Sequence, residues 1–243
     1  MIVFILLQKS KGKLAPFGKG LETRENMEQY INKIINADCM DILKQLPDKC
    51  IDLVLTDPPY GIGIKGSVGG GSIRGKVKEC KKCDWDNEIP SIEYFKEIKR
   101  VSKNQIIFGG NYFIESLENT RCMIIWYKRE GLPDRTFADA EIAWTSFDKN
   151  TKVYSLRWDG FIRDSKEPQE AHPTQKPLKL FEMILRDYSN ENDLVLDCFS
   201  GSGTTAVACH NLKRNFICIE KDYDYWKASV ERLENAQAQM KLF

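Results

Sequence analysis

Leu194-Val195-Leu196-Asp197-Cys198-Phe199-Ser200-Gly201-Ser202-Gly203-Thr204-Thr205-Ala206 decides the fold. An apolar run of strand length, Leu194 to Phe199, ends in the tight turn Ser200 to Gly203, and a helix follows over Thr204 to Leu212. Glycines let the backbone turn sharply and approach a ligand closely, while the helix N-terminus offers unpaired N–H donors. Phe216 to Glu220 is the next strand, and a carboxylate at its end can accept hydrogen bonds from ribose hydroxyls. Gly201-x-Gly203-x-x-Ala206 with Glu220 fits a site for NAD as well as one for S-adenosylmethionine.

Outward from this unit, strands keep alternating with helices. Ile51 to Leu55 reads as a buried parallel strand that runs into Thr56-Asp57-Pro58-Pro59-Tyr60-Gly61. Before it, Met40, Leu43 and Leu46 sit at helical spacing until Pro47. Pro90 and Ser91 open a helix with Phe95, Ile98 and Val101 on one face, and Pro177 begins another with Leu178, Phe181, Ile184 and Leu185. Gln105 to Phe108, Met123 to Tyr127 and Ala140 to Phe147 are strands, and a last helix carries Trp226, Val230 and Leu233. The pattern predicts a doubly wound, mainly parallel α/β sheet.

The chain has 243 residues, 42% hydrophobic and 29% charged, enough for one sizeable core. A net charge of +1 confines any nucleic-acid surface to a local patch. No apolar run approaches a membrane span, and Ile2 to Leu7 lacks the flanks of a signal peptide. Eight cysteines, several in apolar runs, read as reduced thiols. The lone pair Cys80-x-x-Cys83 has no second pair, and His172 and His210 are isolated, so no metal site is expected. Gly70-x-x-x-x-Gly75-Lys76 fails as a P-loop because Val77 stands where Ser or Thr should hold magnesium.

Asp57-Pro58-Pro59-Tyr60 suits one chemical problem. An exocyclic amine on an aromatic base is a poor nucleophile because its lone pair is delocalised into the ring. Two fixed acceptors, the Asp57 carboxylate and the Pro58 carbonyl, can draw the nitrogen toward tetrahedral geometry, and two prolines hold them in place. Tyr60 can stack on a base taken out of the duplex.

Together these motifs resemble the DNA amino-methyltransferases of the N4-cytosine/N6-adenine family. The catalytic turn precedes the cofactor turn, as in the permuted β class. His172-Pro173-Thr174-Gln175-Lys176-Pro177 is similar to that class's linking motif, Asn36-Ala37-Asp38-Cys39 to its opening segment, and Gly109-Gly110-Asn111-Tyr112 also fits. The resemblance covers Ile34 to Leu233. It implies a seven-stranded Rossmann-like methyltransferase fold, S-adenosyl-L-methionine as cofactor, and double-stranded DNA as substrate in the cytoplasm of a bacterial or phage-infected cell. Asp38 would contact the cofactor's adenine and Glu220 its ribose. Asp197, Phe199, Ser200, Gly201, Gly203 and Thr204 would line the pocket, with Thr174 and Lys176 near the methionine part. Asp57, Pro58, Pro59 and Tyr60 would hold the target amine. Asp at the first turn position leans toward N6 of adenine, with N4 of cytosine as the alternative. An NAD-dependent oxidoreductase would leave the Pro-Pro-Tyr turn idle, and an RNA or protein-amide methyltransferase shares it. A cytosine C5 mechanism needs a nucleophilic thiol, commonly from a Pro-Cys pair, and none of the nine prolines precedes a cysteine, which argues against it.

These readings divide the chain into an extension (1–26, with Met27 as a candidate start), a catalytic half (27–147), a target-recognition segment (148–170), a cofactor half (171–238) and a tail (239–243). The Gly-rich, basic stretch Gly61 to Lys82 is expected to be a mobile loop whose Lys76 and Lys78 meet phosphates. In the recognition segment, Tyr154, Arg157, Trp158, Phe161 and Arg163 are candidates for base edges. Gln239-Met240-Lys241-Leu242-Phe243 resembles the peptide by which bacterial replication proteins dock on the sliding clamp. A homodimer is a further partner expectation.

Overall fold

The computed structural model describes residues 27–63, 86, 88–131, 138–159, 162–163 and 175–240. The expectations for 1–26, the basic loop with Lys76 and Lys78, Phe161, Thr174 and the last three residues lie outside the described residues, as do the side chains of Arg163 and Met240.

The strands are β1 (Lys33–Asn36), β2 (Ile51–Thr56), β3 (Ser102–Phe108), β4 (Met123–Tyr127), β5 (Ala140–Thr145), β6 (Lys152–Ser155), β7 (Trp158–Asp159), β8 (Ile162–Arg163), β9 (Leu194–Asp197) and β10 (Asn215–Glu220). The helices are α1 (Cys39–Leu43), α2 (Ile92–Val101), α3 (Leu178–Tyr188), α4 (Thr204–Asn211) and α5 (Tyr223–Met240). The main sheet runs in the order β1-β10-β9-β2-β3-β5-β4-β6, and β5 alone among these is antiparallel to its neighbours. β7 and β8 form a separate hairpin.

Helices cover both faces. On one, α1 and α2 bury Leu43, Phe95 and Ile98 with Val54 and Leu196. On the other, α3, α4 and α5 bury Phe181, Ile184, Val207 and Leu233 with Leu55 and Val195. Ser91 caps α2 by accepting from the amide of Tyr94, as Ser before an apolar helix face should. α4 lies between the sheet and α5 and buries Thr204 to Cys209 on every side, so it shows no amphipathic face.

Two details differ from the sequence reading. Among the described residues the sheet has eight strands, not seven, because β6 adds in parallel to β4 at the edge. This strand falls inside the supposed recognition segment. Tyr154 is buried there, its hydroxyl donating to Asp187, so it belongs to the packing and not to a DNA surface. Four residues, of which Lys152, Val153 and Ser155 are exposed, carry too little alternation to read as a strand. Secondly, α5 runs on to Met240, so the first two residues of the clamp-like peptide continue a helix instead of extending from it.

The topology makes one crevice. From β2 the chain crosses through α2 to β3 on one side. From β9 it crosses through α4 to β10 on the other, and β2 and β9 are neighbours. That reversal opens the sheet at the carboxyl ends of its parallel strands, where ligands bind in doubly wound folds.

Candidate active site

Five strand ends meet at this edge. β1 leads to Asp38, β10 ends at Glu220, β9 leads to Phe199, β2 leads to Asp57, and β3 leads to Gly109. Thr56 Oγ1 donates to Asp197 Oδ1 at 2.9 Å across β2 and β9, while Thr205 Oγ1 takes Oδ2 at 2.5 Å and the Phe199 amide returns to Oδ1 at 3.1 Å. Asp197 is 3% exposed, and burial pushes its carboxyl up to about 6 despite the Thr205 bond. It therefore ties the two functional turns together from within instead of lining the pocket as the sequence suggested.

The glycine turn is built around two left-handed residues, Gly201 (φ 49°) and Gly203 (φ 77°). At Gly203 a Cβ would lie 2.9 Å from Ser229 Cβ, so glycine lets α4 dock against α5. The Gly201 amide donates to Glu220 Oε2 at 2.8 Å, and the Asp222 amide to Oε1 at 2.8 Å. Glu220 stays half-buried, and burial raises its pKa. Asn36 of β1 pairs with Glu220 of β10, which brings Asp38 to the adjacent position. Asp38 caps α1 through the Met40 amide and pairs with Lys221 at 2.9 Å, whose hydrogen bond lowers the carboxyl's pKa. Half-buried Phe199 meets Tyr94 edge-on at 5.3 Å, and among the described residues the buried Ser200 hydroxyl has no hydrogen-bond partner. Thr204 is buried and bonded to the Lys176 carbonyl and to Arg232, which anchors the turn. Two carboxylates at adjacent strand ends, a half-exposed ring and an unused hydroxyl beside a glycine turn fit an adenosine carrying a charged side chain.

Across the crevice, the Pro-Pro-Tyr turn is held on three sides. The carboxylate of Asp86, 1% exposed, accepts the amides of Tyr60 at 2.8 Å and Gly61 at 3.2 Å. The Tyr60 hydroxyl donates to Asp57 Oδ1 at 2.6 Å, and Lys176 donates to Asp57 Oδ2. The Tyr60 ring lies against Gly109, where a Cβ would come within 2.2 Å of it at φ 70°, so no other residue fits. Its other neighbour is Tyr112, stacked at 4.8 Å and 14°. Burial raises the pKa of both Asp57 and Tyr60.

Lys176 touches both turns. Its carbonyl accepts from Thr204 of the glycine turn, while its ammonium pairs with Asp57 and, at 3.2 Å, with Glu141, and lies 5.5 Å from the Phe108 ring centroid. Glu141, Lys128 and Asp86 belong to no motif in the sequence. Of the DNA candidates, Arg157 is exposed, and Trp158 is half-buried against the core with its amide donating to the Lys128 carbonyl at 3.1 Å.

Comparison with known proteins adds to this geometry. The family description "DNA methylase", covering N6 and N4 methyltransferases, matches residues 51–231. The type II methyltransferase M.HinfI of Haemophilus influenzae is 30% identical over 257 residues, spanning 86% of this chain and 70% of that protein. M2.DpnII of Streptococcus pneumoniae, also a type II methyltransferase, is 29% identical over 252 residues, spanning 84% and 92%. Among solved structures, the M1.HpyAVI–SAM complex superposes with a TM-score of 0.54 at 26% identity, covering 83% of this chain and 98% of that one. The PvuII methyltransferase, described as cytosine-N4-specific, shares the fold with a TM-score of 0.55 at 17% identity, covering 84% and 90%.

Proposed function

Because the chain belongs to the DNA methylase family of N6 and N4 amino-methyltransferases, we propose that it methylates N6 of adenine in a base extruded from duplex DNA. DNA is the substrate and S-adenosyl-L-methionine the cofactor of this family. The observation that carries the finer reading is the Asp57 turn, which presents a half-buried carboxylate beside an aromatic ring across the crevice from the glycine turn.

Phe199, Ser200 and Gly201 would hold the cofactor's methionine side and Glu220 and Asp38 its adenosine, and the bound group supplies an electrophilic methyl. The protein's own work is to present the amine. Asp57 accepts one amine N–H, and the Pro58 carbonyl the other, which localises the nitrogen lone pair. Tyr60 stacks on the base, with Tyr112, which lies stacked on the Tyr60 ring, giving way to it. Stacking offsets part of the few kcal/mol that extrusion costs, since each base–aromatic contact is worth about 1–3 kcal/mol. Methyl transfer leaves one surplus proton on the nitrogen, and Asp57, within reach of it, is a ready acceptor. Neither clamp docking nor a homodimer has a supporting observation among the described residues, and neither enters the function proposed.

Base analogues test the choice of amine. Labelled methyl transfer to duplex DNA should fall to background when purine, which lacks the 6-amino group, replaces adenine. Transfer that survives this change but is lost when cytosine's amine is removed would make N4 the target.

A further inference from the structure

Four charged side chains form a chain at the catalytic edge. Lys128, just beyond β4, meets Glu141 Oε1 at 2.9 Å. Glu141, on β5, meets Lys176 at 3.2 Å through Oε2, and Lys176 meets Asp57. The four side chains range from 8% to 24% exposed, so solvent screens them weakly. Two carboxylates and two ammoniums leave the chain neutral.

We propose that Glu141 is a positioning residue for methyl transfer: it holds the Lys176 ammonium against Asp57, so that the acceptor carboxylate stays anionic and fixed in direction. The proposal rests on the reading of Asp57 as amine acceptor.

The chemistry requires a holder. A lysine ammonium is a compact charge on a flexible stem with three rotatable donors. Attached to one carboxylate alone it could swing, and Asp57 with it. Glu141 supplies a second anchor from a different strand, and Lys128 on its far oxygen keeps Glu141 itself charged. The Lys176 stem is fixed as well, because its carbonyl accepts from Thr204 and its ammonium lies 5.8 Å from the Tyr60 ring centroid. Burial of an unpaired carboxylate would protonate it, and a protonated Asp57 presents one acceptor fewer to the amine.

The charged and titratable groups facing Asp57 are Tyr60 from its own turn, Lys176 from the segment before α3, Glu141 from β5, Lys128 beyond it, and Asp197 from β9. Burial pushes the Asp57 pKa up, Lys176 opposes this, and the charge of Glu141 adds to the rise. Two roles for Glu141 therefore have opposite signs. As a bare nearby charge, its removal would lower the Asp57 pKa. As the holder of Lys176, its removal loosens the ammonium and raises it.

The test is the pH profile of kcat for the full chain with Glu141→Gln, Lys176→Met, the double variant and Asp57→Ala, alongside titration with S-adenosylhomocysteine. E141Q should lower kcat about tenfold at neutral pH and move the acidic limb to higher pH, in the direction of K176M. DNA KM and S-adenosylhomocysteine affinity should stay within about twofold. The double variant should be no worse than K176M, because both changes break one unit. An acidic limb that stays or moves down, additive losses, or a parallel loss of S-adenosylhomocysteine affinity would overturn the proposal. Should E141Q fail to fold, Glu141→Asp carries the test: its carboxylate sits one methylene back, and the upward shift should be smaller but of the same sign, whereas no shift or a downward one would overturn the role. Methyl transfer surviving in D57A would instead refute the reading of the turn itself.

Discussion

The Tyr60 hydroxyl donates to Asp57 Oδ1 at 2.6 Å, and with Lys176 on Oδ2 both oxygens of the catalytic carboxylate are occupied. Each carboxylate oxygen accepts up to two hydrogen bonds, so an incoming amine can share Oδ1 with the Tyr60 hydroxyl while the ring stacks on the base. Removing the hydroxyl alone should be tolerated. Tyr60→Phe is expected to keep kcat within about threefold, whereas Tyr60→Ala, which loses a stacking contact of about 1–3 kcal/mol, should reduce kcat/KM at least tenfold. Equal losses in both, measured by labelled methyl transfer, would mean that the hydroxyl and not the ring does the work.

Tyr112 offers a second aromatic face. It stands on the short helical turn after Gly109, its amide bonded to the Gly109 carbonyl at 2.8 Å, and is 43% exposed. With 2-aminopurine at the target position, extrusion raises fluorescence and stacking on tyrosine quenches part of it. Tyr112→Ala should bind DNA with about tenfold lower affinity and give brighter emission per bound duplex. Unchanged emission and affinity would leave Tyr112 as no more than a partner of Tyr60.

Asp197 links stability to pH. Its folded-state pKa, about 6, lies above the ordinary aspartate value of about 3.9, so the folded protein holds this proton more tightly than the unfolded chain does. Stability from this group is full below pH ~4 and is lost as pH rises through about 6, a change of about 3 kcal/mol. Asp197→Asn cannot titrate. The melting temperature of the natural protein minus that of D197N should be most favourable to the natural protein near pH 4 and decline toward pH 7. A difference that grows with pH would show that Asp197 is held ionised by its three donors.

The two turns were legible because proline and glycine are local instructions: they restrict or free the backbone wherever they stand. The strand and helix order followed from periodicity in the same way. What could not be read were partnerships between distant residues. Lys176 and Asp57 are 119 positions apart, and nothing near either says that they touch. The motif around Lys176 points to the cofactor, and its bond to Asp57 shows only in the folded chain. Glu141 looks like any polar residue at the start of a strand, and its meaning comes from β5 running antiparallel, which brings that start to the catalytic edge. Asp197 was read as pocket lining because it ends a strand beside the glycine turn. The hydroxyls of Thr56 and Thr205 make it internal, and that requires β2 beside β9. Tyr154 misled for the opposite reason: an aromatic among lysines suggested a DNA surface, while α3 supplied Asp187 to receive it.

The central claim is the identity of the methylated atom. Duplex DNA incubated with the protein and S-adenosyl-L-methionine, digested to nucleosides and resolved by mass spectrometry, reads it directly. The natural protein should yield N6-methyldeoxyadenosine and Asp57→Ala none. N4-methyldeoxycytidine in its place, or N6-methyldeoxyadenosine persisting in D57A, would contradict it.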